Sequence, residues 1–512
     1  MLILWINRII SWITLGISLL VLGFIPLYLA FSFKEILTYP DYFGIVLNLL
    51  LLAIEAFGYL FAFYLLYMIS GAFKFRSQPP FPPTVTSYHP SFSIVVPSHG
   101  TPFPILKETL LGTLALKYDD YEIIVSDNGV DPKVTDQLRE FCQEHQIPFH
   151  WKPDSRGFKA GNINVVLDKT HGDLVVILDS DHIPVPDLLA LFAEVMGDEN
   201  IGYIQTKVSY RNLTKVYQAA NSILYSQFFE VFEAAKDPRG VALFNGTTGC
   251  FRRDALLAVN GFSEETLIED IDTSMKILAQ GYTGRFLNVV GSRGLVPESA
   301  KGQIIQLWRW AHGACSLLRL RFRELFKSPH LSWPKKLELI LNAMAFFSGI
   351  SIVLLISLLA LLVLFDMPFI RPFFFQFHLG YLLPGLVGIS YSVTAFLAII
   401  WEPRQQNLVI RLLQLIPFYL FSLGTFLYLI SGVVEGLLLK NTPLTEGSVW
   451  NREIRVVRNS LLALLFCGIL VLIGILGVTH NFGLFVAGAA AFWMLAPLVL
   501  LYEEFNPPSN RK

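Results

Sequence analysis

Leu174-Val175-Val176-Ile177-Leu178-Asp179-Ser180-Asp181 decides the fold. Five apolar residues, three of them β-branched, make a buried strand, and two carboxylates follow at once where that strand must end. Phe92 to Val96 and Tyr121 to Val125 repeat the apolar run, and the helix-like stretches 104–116 and 132–145 separate the three. This alternation predicts an open parallel α/β sheet. Ligands of such sheets bind beyond the carboxyl ends of the strands. Pro97-Ser98-His99-Gly100, Ser126-Asp127-Asn128-Gly129 and Asp179-Ser180-Asp181 occupy those ends, so two of the three carry acids where a nucleotide or metal would sit. The sequence has neither a Walker loop nor G-x-G-x-x-G, so a phosphate here needs a metal rather than a glycine cradle.

Asp179 and Asp181, two residues apart in an extended turn, let both carboxylates face one hard cation. Mg2+ or Mn2+ suits them, because either takes oxygen ligands and leaves positions for phosphate oxygens. Taken alone, the pair also reads as a solvated acidic turn. The strand before it is what points to a metal.

Away from this domain the chain becomes strongly apolar. Of 512 residues, 53% are hydrophobic and only 15% charged, which excludes an ordinary soluble protein. The formal charge of −1 gives no global pull toward nucleic acid, and no such partner is expected. Cys142, Cys250, Cys315 and Cys467 stand too far apart for a disulfide scaffold or a structural zinc site. Residues 8–34 and 41–74 form two membrane helices, with Glu55 the only charge inside them. Such a charge should face the helix bundle or a polar passage, or be protonated and hydrogen-bonded to a neighbouring helix. Further apolar runs cover 339–365, 372–401, 412–434 and 459–502, the last with a turn near 480–483. The layout is therefore a membrane hairpin (1–74), a globular domain (75–327) ending in interfacial helices, and a second membrane region (328–512).

Loop charges set the topology. Arg8, Lys74, Arg76, Lys335 and Lys336 place the globular domain in the cytoplasm. If 412–434 also crossed, Lys440, Arg452, Arg455 and Arg458 would lie outside, so 409–438 is read as an interfacial or re-entrant helix. Six crossings result, in a multi-pass protein of the cytoplasmic (inner) membrane; seven crossings with a misplaced basic loop is the alternative.

Five elements fall in order between the membrane segments: strand then Asp127, Lys159-Ala160-Gly161-Asn162, Asp179-Ser180-Asp181, Ile268-Glu269-Asp270 and Gln306-Leu307-Trp308-Arg309-Trp310. Together they resemble the membrane-embedded family 2 glycosyltransferases of the cellulose synthase type. The resemblance implies a Rossmann-like GT-A domain inserted between transmembrane helices, with a UDP-sugar as donor and a metal held by Asp179 and Asp181. It assigns Asp127, Lys159, Asp179 and Arg309 to the donor. Lys159 reads on its own as a solvated lysine at a helix start, and as a phosphate partner only in this setting. Ile268-Glu269-Asp270 looks like the family's T-E-D with Ile for Thr, which makes Asp270 the general base. Locally, Glu269 and Asp270 also read as acids favoured by a helix N-terminus.

Gln306, Arg309 and Trp310 fit Q-x-x-R-W, where Arg309 binds diphosphate and Trp310 offers a face to the sugar acceptor, or belongs to an interfacial aromatic belt. Gly249, Cys250 and Glu269 are the other acceptor residues the resemblance suggests. Cys250 is displaced from the family's pattern and reads equally as a buried inert thiol. Leu439 to Leu444 stands where the family has a gating loop, with Thr442 the matching residue. The likeness does not extend to a cyclic-di-GMP-binding PilZ domain, so activation by that nucleotide is not expected. The implied activity is inverting transfer from a UDP-sugar, UDP-glucose favoured, to a growing β-linked polysaccharide, coupled to translocation, with accessory subunits unspecified. A glycolipid synthase adding one sugar to a membrane lipid shares all of these residues, and a transporter with a cytoplasmic domain is the non-enzymatic alternative.

Overall fold

The computed structural model describes residues 2–78, 88–154, 156–213, 216–370, 382–402, 407–438, 446–478, 482–495, 497–499 and 502. Helices α1 (Leu2–Leu37) and α2 (Tyr42–Arg76) form an antiparallel hairpin, and each is long and apolar enough to cross a membrane. Glu55 is buried inside the hairpin and accepts a hydrogen bond from Tyr28 Oη at 2.7 Å, so the neighbouring helix supplies its partner.

The sheet of the globular domain has eight strands among the described residues: β1 (Phe92–Ser98), β2 (Tyr121–Asp127), β3 (Phe149–Trp151), β4 (Leu174–Ile177), β5 (Ile183–Pro184), β6 (Ile201–Tyr210), β7 (Gly249–Arg252) and β8 (Thr283–Gly294). Their order is β3-β2-β1-β4-β7-β6-β8-β5. The first four are parallel, with Ser98 opposite Asp127, so the ends of β1 and β2 are level. The three strands read from the sequence are parallel as expected, and the sheet becomes mixed beyond them. Strand β7 runs antiparallel to both β4 and β6, and β5 antiparallel to β8. The reason is local: Thr248 N donates to Ile177 O, so the chain enters β7 at the carboxyl end of β4 and can only run back. Four residues of β7 also carry too little periodicity to be read as a strand.

Both faces of the sheet are covered. Val95, Val175 and Ile177 pack toward helix α5 (Phe158–Leu167), and Ile94, Val96 and Val176 toward α3 (Phe103–Leu114), α4 (Pro132–Glu144) and α6 (Leu188–Met196). This burial on both sides explains the unbroken apolar runs of β1 and β4.

Helix α7 (Val216–Gln227) continues through a π-helical turn at Phe228–Glu233 into α8 (Ala234–Lys236), and α9 (Arg253–Ala258) and α10 (Glu269–Ala279) follow β7. The long α11 (Ala300–Lys327) and α12 (Trp333–Met344) lead to α13 (Phe347–Leu364), the third helix long enough to span a membrane. The run expected at 339–365 is thus split: Glu338 on α12 pairs with Arg239 beside the globular domain, and the apolar span begins only at Phe347. Beyond it lie helices at Leu382–Trp401, Leu408–Leu413, Leu415–Leu438, Glu446–Leu476 and Gly483–Trp493. Leu415–Leu438 lies along α11, with Gly432 against Trp308 and Gly436 against His312 and Cys315. The turn expected near 480–483 falls partly, and the gating stretch 439–444 wholly, outside the described residues.

Candidate active site

The carboxyl ends of β1 and β2 are tied by amides. Asn162 donates to Ser98 O at 3.1 Å and to Asn128 Oδ1 at 2.8 Å, and His99 Nδ1 lies 2.9 Å from the same oxygen. Asp127 is buried beside them and accepts from Thr135 Oγ1 at 3.1 Å. Within Lys159-Ala160-Gly161-Asn162 the four side positions divide their work. Ala160 fills the core and Asn162 ties the strands. At Gly161 a Cβ would stand 2.2 Å from Arg156 O, so the first turn of α5 packs on that backbone only with glycine.

Lys159 is the member that enters the site. Its ammonium donates to Gly246 O and pairs with Asp179 Oδ1, each at 2.5 Å. Burial pushes its pKa down, but Asp179, Glu269 and Asp270 outweigh burial and hold it above the usual lysine value. It stays a cation.

Asp179, Asp181 and His182 offer one ligand atom each within 4.8 Å of one another. This donor set fits a divalent cation: two carboxylates for a hard ion, and an imidazole that Mn2+ accepts more readily than Mg2+. His182 is placed by strand β5, which begins one residue later and pairs with β8. Its Nδ1 lies 2.9 Å from Ser292 Oγ, and its Nε2 lies 3.9 Å from Asp181 Oδ1. A Cβ at Gly294 would lie 2.3 Å from the ring, so glycine there makes the imidazole's place. Burial raises the Asp181 carboxyl and lowers the His182 ring.

Asp270 opens α10. Burial, then the neighbouring Glu269, push its carboxyl up to about 7, against the opposing pull of the Ile271 amide, Lys159 and Arg309. Across from it runs the loop Phe244–Thr248. Gly246 has φ of +95°, and a Cβ there would stand 3.0 Å from Asp270 Oδ2, so the loop passes over the carboxylate only with glycine. The next residue, Thr247, accepts the Asp179 amide at 2.9 Å. Asp270, Lys159 and Asp179 thus surround one loop.

Helix α11 closes the site. Gln306 accepts from Tyr225 Oη at 2.7 Å, and Trp310 meets the Tyr225 ring edge-on at 6.0 Å. Arg309 is exposed and makes no hydrogen bond or ion pair among the described residues. Gly313 of α11 packs against Ile268, and Arg321 binds Asp272 through Nε at 2.6 Å and Nη2 at 3.0 Å. These contacts fix α10, with Asp270 at its head, to the Q-x-x-R-W helix.

Gly249 and Cys250 do not face the cleft, which corrects their expected acceptor contacts. They sit inside β7 between β4 and β6, where Cys250 is fully buried and the Phe244 ring covers Gly249. His182, Tyr225 and the Asp272–Arg321 pair were not read from the sequence. Of these only His182, directly after the second acid of Asp-Ser-Asp, had a local signal.

The mixed sheet, the acids at the end of β4 and the carboxylate at the head of α10 define a GT-A glycosyltransferase domain flanked by apolar helices. A family model described as glycosyl transferase family group 2 matches residues 174–502, and the chain belongs to that family. Within it the chain is cellulose-synthase-like. It is 28% identical over 303 residues to the cellulose synthase catalytic subunit [UDP-forming] of Komagataeibacter sucrofermentans, a match taking in 57% of this chain and 39% of that one. The corresponding subunit of Xanthomonas axonopodis pv. citri is 28% identical over 239 residues, 45% of this chain and 32% of that one. The chain therefore covers well under two thirds of either relative. Among solved structures, the mannosyltransferase PcManGT from Pyrobaculum calidifontis in complex with GDP-Man and Mn2+ superposes with a TM-score of 0.54 at 18% identity, over 77% of this chain and all of that one. That likeness concerns the fold.

Proposed function

We propose that this protein transfers glucose from UDP-glucose, with inversion, to the end of a growing β-linked polysaccharide at the cytoplasmic face of the membrane, and passes the product along its own helices. The observation that carries the reading is Asp270, a carboxylate held near neutrality and set across Gly246 from Lys159 and Asp179. A base that must take a hydroxyl proton works best with a pKa near the working pH.

In this reading Trp310 and the ring of Tyr225 orient the acceptor sugar, and Asp270 removes its hydroxyl proton as the oxygen attacks the anomeric carbon. Asp127 holds the nucleoside end of the donor, while Lys159 and Arg309 meet the charge that develops on the departing diphosphate. Asp179, Asp181 and His182 would hold Mg2+ or Mn2+, which when bound neutralises the diphosphate leaving group. The names of the two cellulose synthase subunits support UDP as the leaving nucleotide and a polysaccharide as product.

The test is incubation of the purified protein with UDP-glucose and other UDP-sugars in parallel. The reading expects UDP release and a chloroform-insoluble product degraded by a β-glucanase. A chloroform-soluble glycolipid would overturn the polymer in favour of transfer to a lipid.

Two further outcomes are expected. Asp270 accepts a proton only when ionised, and its pKa is raised. The transfer rate should therefore fall as pH drops through about 7 and level off above it. An acid limb near the usual carboxylate value, about 4, would remove Asp270 from the role. Arg309→Ala should raise the donor KM roughly tenfold, the scale of one lost charge-assisted contact, with the fold unchanged because the side chain is exposed.

A further inference from the structure

The loop Phe244–Thr248 touches Lys159, Asp179 and Asp270, and it is held in place from the side away from the cleft. Directly before it stands Leu243, whose amide donates to Glu233 Oε2 at 2.8 Å. Glu233 ends the π-helical turn, and its other oxygen pairs with Lys236 at 2.6 Å. Single π turns within helices recur at functional positions. A second glutamate of the same turn, Glu230, receives Lys207 of β6 at 2.5 Å and Asn288 of β8 at 2.9 Å, and is ion-paired with Arg76, the last residue of α2. Both glutamates are fully buried. Buried carboxylates persist only when paired and when hydrogen bonds fill their remaining lone pairs, for which a backbone amide can serve. Glu233 has one, and that partner is the entrance to the loop. The remaining anchors agree: Gln205 accepts from Asn245 N at 2.8 Å, Thr206 donates to Thr248 O at 2.7 Å, and Ser274 accepts from Phe244 N while donating to Asp270 O.

We propose that Glu233 is a positioning residue for sugar transfer. Its carboxylate holds Leu243, and so sets where Gly246 meets Lys159 and Asp270, while Glu230 ties the same turn to the end of the membrane helix α2. The inference rests on the reading of Asp270 and Lys159 given above.

Two double variants separate the hydrogen bond from the charge. Glu233→Gln with Lys236→Met keeps an oxygen for the Leu243 amide and leaves no lone buried charge, whereas Glu233→Met with Lys236→Met removes the acceptor. On the full chain in lipid nanodiscs, the Gln pair should exchange its 243–248 amides as wild type does and keep kcat within about threefold. The Met pair should exchange 243–248 at least about tenfold faster, with β6 and β8 peptides unchanged, and lose kcat about tenfold or more at a donor KM within about twofold. Unchanged exchange in the Met pair, or an equal loss of kcat in both pairs, overturns the proposal. Should the Met pair fail to fold, Glu233→Asp keeps the charge and shortens the reach by one methylene; faster exchange confined to 243–248 supports the clamp, and unchanged exchange overturns it. Exchange needs no donor, so a wild-type protein that transfers no sugar would sink the functional reading while the clamp is still decided.

Discussion

Asp270→Asn protein is expected to bind UDP as tightly as wild type and to transfer sugar on the order of 10²–10⁴-fold more slowly. The substitution keeps size and hydrogen-bonding capacity at the head of α10 and removes only the ability to take a proton. Binding should survive because the donor groups, Asp127, Lys159 and Arg309, lie on β2, α5 and α11 rather than on α10. Ile271 N donates to Asp270 Oδ1 at 2.8 Å, and the asparagine oxygen can accept it equally well. Calorimetric titration with UDP beside a transfer assay reads both quantities. Loss of UDP binding together with turnover would show that the residue is structural or donor-binding, and the mechanism would need another base.

Removal of divalent cations should abolish transfer, and Mn2+ should restore it at lower concentration than Mg2+. The leaving diphosphate needs its charge met, and an imidazole beside two carboxylates ranks Mn2+ above Mg2+. Asp181→Asn should then lose both the activity and the metal response, a loss of about 10²-fold or more. A milder variant discriminates further: His182→Gln should narrow the preference for Mn2+ over Mg2+, since an amide oxygen replaces the nitrogen. Full transfer in excess chelator would remove the metal assignment. It would leave Lys159 and Arg309 as the only groups to carry the leaving charge.

What the sequence determined by itself is tied to short spans of chain. The strands β1, β2 and β4 and the acids at two of their ends followed from local apolar runs, because strands covered on both faces are apolar over most of their length. Helices α1 and α2 followed from length and hydropathy alone, since a bilayer leaves few other readings of such runs. Lys159, Asp179 and Asp270 were legible through the order of their motifs, and the structure brings all three against one loop.

Only the tertiary structure decided which groups face one another. Gly249 and Cys250 read as acceptor residues, yet β7 carries them into the sheet, because the chain reaches it from the cleft end and must turn back. The near-neutral Asp270 comes from burial and from Glu269, outweighing charges on α5 and α11, and its desolvation cannot be read from Ile268-Glu269-Asp270. His182 stands beside the two acids only because β5 pairs with β8 and Gly294 leaves room for its ring. Glu230 and Glu233 carry no local signal in the sequence, and it is packing of the π turn between α2, β6 and β8 that buries them and turns one toward the loop. Local sequence specifies strand and helix because those depend on neighbours along the chain. The proton affinity and aim of a side chain depend on neighbours in space, which here stand as far apart in sequence as Arg76 and Glu230.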